Sequence, residues 1–140
     1  MEASAMTAPS LDRCRVLVVE DESLIAMDLE GMLRRAGCVV VGPVNRVETA
    51  ERRVADAPPD VALLDINLGG EKVFALADTL AARRIPFVFL TGYGPEILPE
   101  RFKGRPLSPK PYMPARLLAM LAVFCPGCPE EGDPSLAAPT

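Results

Sequence analysis

Three acids stand at the ends of short aliphatic runs. Glu20-Asp21 closes Val16-Leu17-Val18-Val19, and Asp65 closes Val61-Ala62-Leu63-Leu64. Runs of this kind have the pattern of buried parallel strands, and open α/β sheets hold their sites at the carboxyl ends of strands. Carboxylates gathered in a chain with no histidine suit a hard cation such as Mg²⁺. One of them can also serve as a nucleophile toward phosphorus. Thr91 adds a hydroxyl and Lys110 a positive charge. Packed together, the acids repel one another and need a cation, and Mg²⁺ keeps waters and an exchangeable position for phosphate. Metal, lysine, hydroxyl and carboxylate make a cradle for a phosphoryl group, whose transfer needs chiefly positioning and charge neutralisation.

Alternating elements must bring these residues together. Residues 15–19 read as a first strand, and Ile25, Leu29, Met32, Leu33 and Ala36 follow at helical spacing until Gly37. Residues 38–41 form a second strand closed by Gly42-Pro43. Asn45 is placed to cap a helix with the stripe Val47, Ala50 and Val54. Residues 60–64 form the third strand and 67–70 a turn. Val73, Leu76, Ala77 and Leu80 line a third helix ending in Arg83-Arg84, which suits its negative end. Pro86 opens a fourth strand over 87–90. Pro99 and Gly104 interrupt 95–105, so at most a short, irregular helix is expected there. Residues 106–108 are a weak fifth strand. Pro114 fits the first turn of a last helix with Leu117, Leu118, Leu121 and Phe124 inward.

Strand–helix alternation implies a parallel sheet with helices on both faces, a (βα)₅ unit. Right-handed crossovers favour the order 2-1-3-4-5. Strands 1 and 3 then lie about 4.8 Å apart at the switch point, so Asp21 and Asp65 converge. The fifth strand is about 10 Å from the third, a gap that only a long side chain such as Lys110 spans.

The chain has 140 residues, enough for one domain with a real core. Residues 1–12 read as a flexible lead-in, 13–124 as the folded unit, and 125–140 as a disordered, proline-rich acidic tail. A net charge of −4 disfavours nucleic acid as a partner. No apolar stretch approaches the roughly 18 residues of a membrane span. The first ten residues lack a signal peptide's basic start and apolar centre, so a cytoplasmic location is expected. Cys14 and Cys38 read as small apolar residues beside strands. Cys125-Pro-Gly-Cys128 is a single CxxC, with neither histidine nor a second pair to complete a zinc shell, and reads as incidental or structural rather than redox-active.

Glu20-Asp21, Asp65, Thr91 and Lys110-Pro111, in this order on these strand ends, resemble two-component response-regulator receiver domains over about residues 13–124. Leu90-Thr91-Gly92-Tyr93, with Pro86-Phe87-Val88-Phe89 before it and Arg101-Phe102 and Lys110-Pro111-Tyr112 after it, is similar to the FAT GUY subgroup of mostly stand-alone bacterial receivers. The resemblance implies a flavodoxin-like fold and a phosphorelay role rather than an enzyme's. Asp65 would be the phosphoacceptor, supplied by a histidine kinase or phosphotransfer protein. Asp21, Asp65 and the backbone carbonyl of Asn67 would bind Mg²⁺, with Glu20 acting directly or through water. Lys110 and Thr91 would each contact a phosphoryl oxygen. Output would be contact with a downstream protein, or a phosphate relay or sink. Leu107 stands where most receivers carry an aromatic switch residue, which leaves Tyr93 and Tyr112 as replacements beside Thr91. Two alternatives remain: a receiver-like module that binds without phosphorylation, and an aspartate-nucleophile phosphohydrolase. The latter needs a second Asp where this chain has Asn67.

Overall fold

The computed structural model of the protein describes residues 11–125. The main sheet is built from β1 (Arg15–Val19), β2 (Val39–Val44), β3 (Val61–Asp65), β6 (Phe87–Thr91) and β7 (Leu107–Pro109). Its strands are all parallel, in the spatial order β2-β1-β3-β6-β7. Counting only these five, the order is the 2-1-3-4-5 expected from the alternation. The helices are α1 (Ser23–Arg35), α2 (Val47–Asp56), α3 (Phe74–Ala82) and α4 (Pro114–Ala122).

The strands sort their side chains by twos. Leu17, Val19, Ala62, Leu64, Phe87 and Phe89 face one apolar cluster, closed by Val47, Ala50 and Val54 of α2 and Leu76, Ala77 and Leu80 of α3. Val16, Val18, Val61, Leu63, Val88 and Leu90 face the other, closed by Leu29, Met32 and Leu33 of α1 and Leu117 and Leu121 of α4. Every residue of β3 and β6 is buried, which is why these runs show no alternation in sequence. Each large side chain so buried contributes about 1.5–3 kcal/mol. Leu118 and Phe124, expected inward, are half-buried at the margin of the second cluster.

Several local expectations are corrected. The second strand does not close at Gly42-Pro43; β2 runs through both to Val44, and its register slips between Leu17 and Val19. Gly42 has φ +100°, and a Cβ there would lie 3.0 Å from the Val18 carbonyl oxygen, so glycine lets β2 pass close to β1. Asn45 does not cap α2. Arg46 occupies the cap position with no side-chain bond, and the buried Val47 starts the helix. Residues 67–70 are more than a turn. Asn67–Leu68 (β4) pairs antiparallel with Glu71–Lys72 (β5) around Gly69-Gly70, whose φ values of 59° and 95° match the primed hairpin turn.

Residues 95–105 form two 3₁₀ turns, Pro95–Ile97 and Glu100–Phe102, as the interruptions by Pro99 and Gly104 predict. The segment is nonetheless anchored. Phe102 is buried against Phe74, Phe87 and Phe89, with ring centroids 5.6–6.0 Å away. Arg101 forms a two-pronged pair with Asp78 of α3 at 2.8 and 3.0 Å.

The cysteines differ most from expectation. Cys14 is not a free apolar residue but is disulfide-bonded to Cys125, 111 positions away, with Cα atoms 5.5 Å apart. The bond joins the entry of β1 to the residues just past α4. Cys38 is a free, buried thiol. Cys128 lies outside the described residues, as do residues 1–10 and 126–140 of the expected lead-in and tail.

Candidate functional site

The strands end together at the switch point. Register pairs Val19 with Leu64 and Asp65 with Leu90, so Glu20 and Asp21 emerge from β1 beside Asp65 on β3, and Thr91 closes β6 next to them. Glu20 is 2% exposed and Asp65 5%, while Asp21 is open to solvent. One carboxylate oxygen from each of the three lies within 4.8 Å of the others.

Lys110 follows β7 and bridges the gap. Its Nζ sits 3.2 Å from Asp65 Oδ1 and 3.2 Å from Glu20 Oε1. Glu20 Oε2 accepts the Glu22 N–H at 3.1 Å and lies 3.4 Å from Lys110 Nζ. Glu20 Oε1 is buried and receives no hydrogen bond, because Lys110 approaches it outside bonding geometry. A buried carboxylate oxygen without a hydrogen bond is costly, and here the Lys110 ammonium 3.2 Å away is its charge partner.

Charge in the site is unbalanced. Burial, and then the Glu20 carboxylate, push the Asp65 carboxyl up to about 7, although Lys110 pulls the other way. Burial works against the Lys110 ammonium, but Asp65 and Glu20 outweigh it and hold its pKa above the usual lysine range. One cation facing three acids leaves a net negative pocket that a divalent ion would neutralise.

The other residues singled out in the sequence have distinct places. Thr91 is buried and its Oγ1 accepts the Tyr93 N–H at 3.0 Å. Tyr93 itself is exposed. Tyr112 is half-buried and lines a hollow of about 310 Å³ with Ile25, Asp28, Lys110, Pro111 and Pro114. Leu107 is partly buried against the first apolar cluster, one strand beyond Phe89. The Lys110-Pro111 bond is cis. Asn67 begins the small hairpin, and its Oδ1 accepts a 2.5 Å bond from Lys72 Nζ. A Cβ on Gly69 would lie 3.4 Å from Asp21 Oδ2, so the hairpin tip hangs beside the acids. Lys72 was not singled out from sequence. The available signal was Gly69-Gly70 between two short runs, a hairpin turn pattern.

The response regulator receiver domain model matches residues 16–104. The phyllosphere-induced regulator PhyR of Methylorubrum extorquens is 37% identical over 117 residues, 76% of this chain and 42% of that protein. The transcriptional regulatory protein PdtaR of Mycobacterium tuberculosis is 33% identical over 129 residues, 82% of this chain and 63% of that one. The chain thus spans less than two thirds of either curated relative. The solution structure of SdrG from Sphingomonas melonis Fr1 superposes with a TM-score of 0.68 at 44% identity, covering 79% of this chain and 96% of that one.

Proposed function

The chain belongs to the response regulator receiver domain family, and on that footing we propose that residues 13–124 act as a phosphorelay receiver that takes a phosphoryl group on Asp65. The observation that carries this is the convergence of Asp65 with Glu20, Asp21 and Lys110 from three different strand ends, the lysine 3.2 Å from the phosphoacceptor oxygen.

The residues fit Mg²⁺. Glu20, Asp21 and Asp65 offer hard oxygens within 4.8 Å, and the buried Glu20 Oε1 receives no hydrogen bond, with only the Lys110 ammonium 3.2 Å away. Asp21, Asp65 and the Asn67 carbonyl would hold the ion, with Glu20 directly or through water. Bound there, Mg²⁺ neutralises charge on the acids and on the phosphoryl oxygens.

The reaction follows from the chain's own groups. A carboxylate oxygen of Asp65 attacks phosphorus of a phosphohistidine on a kinase or phosphotransfer protein. The phosphorus–nitrogen bond breaks, the imidazole leaves, and an acyl phosphate remains. Lys110 gives up part of its pairing with Asp65 and turns its ammonium to a phosphoryl oxygen. Thr91 Oγ1 now only accepts, from Tyr93, so its own proton is available to a second oxygen. That bond draws residues 91–94 inward and shifts the two 3₁₀ turns that follow. With Leu107 in place of an aromatic, Tyr112 in its hollow and the exposed Tyr93 are the side chains free to respond.

Exposed apolar side chains stand on the elements that follow the site residues. Leu24 and Met27 stand on α1 and Met113 beside Tyr112, at 76%, 65% and 60% exposure. They suit a protein partner that presents the phosphoryl group. Among the described residues no helix is long and apolar enough to cross a membrane. A cytoplasmic place and output by protein contact or phosphate relay complete the reading.

The test is incubation of the full chain with Mg²⁺ and acetyl phosphate, followed by intact mass. A gain of one phosphoryl group that is absent in Asp65→Asn supports the proposal. No gain, with a cognate kinase as well, replaces it with a module that binds without phosphorylation.

A further inference from the structure

Two ties join the same part of the fold at opposite ends. At the carboxyl ends of the strands, Glu20 after β1 meets Lys110 before α4 at 3.2 Å. At the other end, Cys14 before β1 is bonded to Cys125 just past α4. Between them, Leu117 and Leu121 of α4 pack into the cluster that also holds Cys14, Cys38 and Cys125. We propose that Cys14 and Cys125 are a reversible redox site, oxidised by small disulfides and reduced by small thiols, that sets how firmly α4 is held to the sheet and hence how freely the Lys110 loop moves.

The two sulfurs have unequal parts. Cys14 is fully buried beside β2, its carbonyl accepting the Val39 N–H at 2.8 Å. Cys125 is also buried, 3% exposed, but it lies past the last turn of a helix, where local opening is easiest. Cys125 therefore meets an outside disulfide first. Its thiolate attacks one sulfur of the donor, the other half leaves as a thiolate, and a mixed disulfide forms. The Cys14 thiolate then attacks the Cys125 sulfur and expels the second half. Two protein thiols lose two protons and two electrons, and the donor disulfide becomes two thiols. Cys38 stays outside the bonded pair as a free, buried thiol whose pKa burial pushes up. Where thiols are normally kept reduced, disulfides that form are mostly transient and redox-sensing, which suits this role. Oxidised, the end of α4 is fixed to β1. Reduced, it is held by packing alone.

The test uses the full chain equilibrated across ratios of oxidised to reduced glutathione, trapped by acid and alkylation, and mapped by peptide mass. Amide exchange is measured on both forms. The Cys14–Cys125 peptide should appear and disappear with the ratio. Exchange over residues 119–125 should rise about tenfold or more on reduction. Cys125→Ala should show the faster exchange at every ratio, and Cys14→Ser should retain one glutathionyl group on Cys125. A Cys125–Cys128 or Cys14–Cys38 peptide instead, no cross-link at any ratio, or equal exchange in both forms would overturn the proposal. No phosphodonor enters these measurements, so they stand apart from the fate of the phosphoacceptor reading.

Discussion

Asp65 ends β3 and Lys110 follows β7, two strands that never touch because β6 lies between them, yet their charged atoms are 3.2 Å apart. The same ammonium also reaches Glu20. One lysine thus bears the repulsion of two buried carboxylates, and it does so incompletely, since Asp65 still holds its proton up to about pH 7.

That raised value makes stability fall with pH. The folded state binds the Asp65 proton more tightly than the unfolded chain, whose carboxyl titrates near 3.8. The contribution is complete below about pH 4 and is lost as pH climbs through about 7. In chelator, Asp65→Asn is therefore expected to be more stable than the parent by about 1–3 kcal/mol at pH 8, with the advantage shrinking toward pH 4. Urea unfolding across that range measures it. A difference that does not change with pH would contradict the assignment.

Magnesium should remove the same penalty. An ion bound only by the folded state adds about 2.7 kcal/mol at a hundred times its dissociation constant. Thermal melts with increasing Mg²⁺ should show a rising midpoint in the parent and a much weaker response in Asp21→Ala. NMR of the Asp65 carboxyl should show its titration moving well below neutrality as Mg²⁺ saturates.

Phosphoryl uptake needs Asp65 ionised. At low Mg²⁺ the initial rate of mass gain from acetyl phosphate should fall about tenfold for each unit below pH 7, following the ionised fraction. Lys110→Met should slow uptake by about a hundredfold, the usual scale for losing one charge-stabilising donor. It should also push the Asp65 carboxyl higher still, because the group that lowers it has gone. A variant with parental rates would remove Lys110 from the reaction.

Phe102 anchors a segment that has no α-helix of its own. Replacing it with alanine should cost about 3–5 kcal/mol in denaturant unfolding, since the ring is buried among three others. Its neighbour Arg101, paired two-pronged with Asp78 at the surface, should cost far less when replaced by alanine, about 0.5–1 kcal/mol.

The strands and their order were legible because four aliphatic runs alternate with helical patterns and three of them, β1, β3 and β6, end at site residues, while the short fifth strand was only a weak candidate. The buried faces of α1 to α3 were legible from helical spacing at Leu29, Val54 and Leu80, among others. What escaped was short or depended on the fold. β4 and β5 have two residues each, too few to show a period. Gly42-Pro43 looks like a terminator in sequence, and only the close approach of Val18 shows why a strand passes through it. Cys14 and Cys125 are separated by 111 positions, whereas the nearby Cys128 offered a conspicuous but different pairing. At the site, residue types announced charge and metal chemistry, but the unsatisfied Glu20 oxygen and the Lys72 hold on Asn67 required coordinates.

The two outermost strands carry prolines. Pro43 sits inside β2, and β7 is only three residues long, preceded by Pro106 and ending in Pro109. Neither rim of the sheet therefore offers an unbroken ladder of amide donors to a further strand. Self-association or partner capture by extending the sheet is blunted at both β2 and β7.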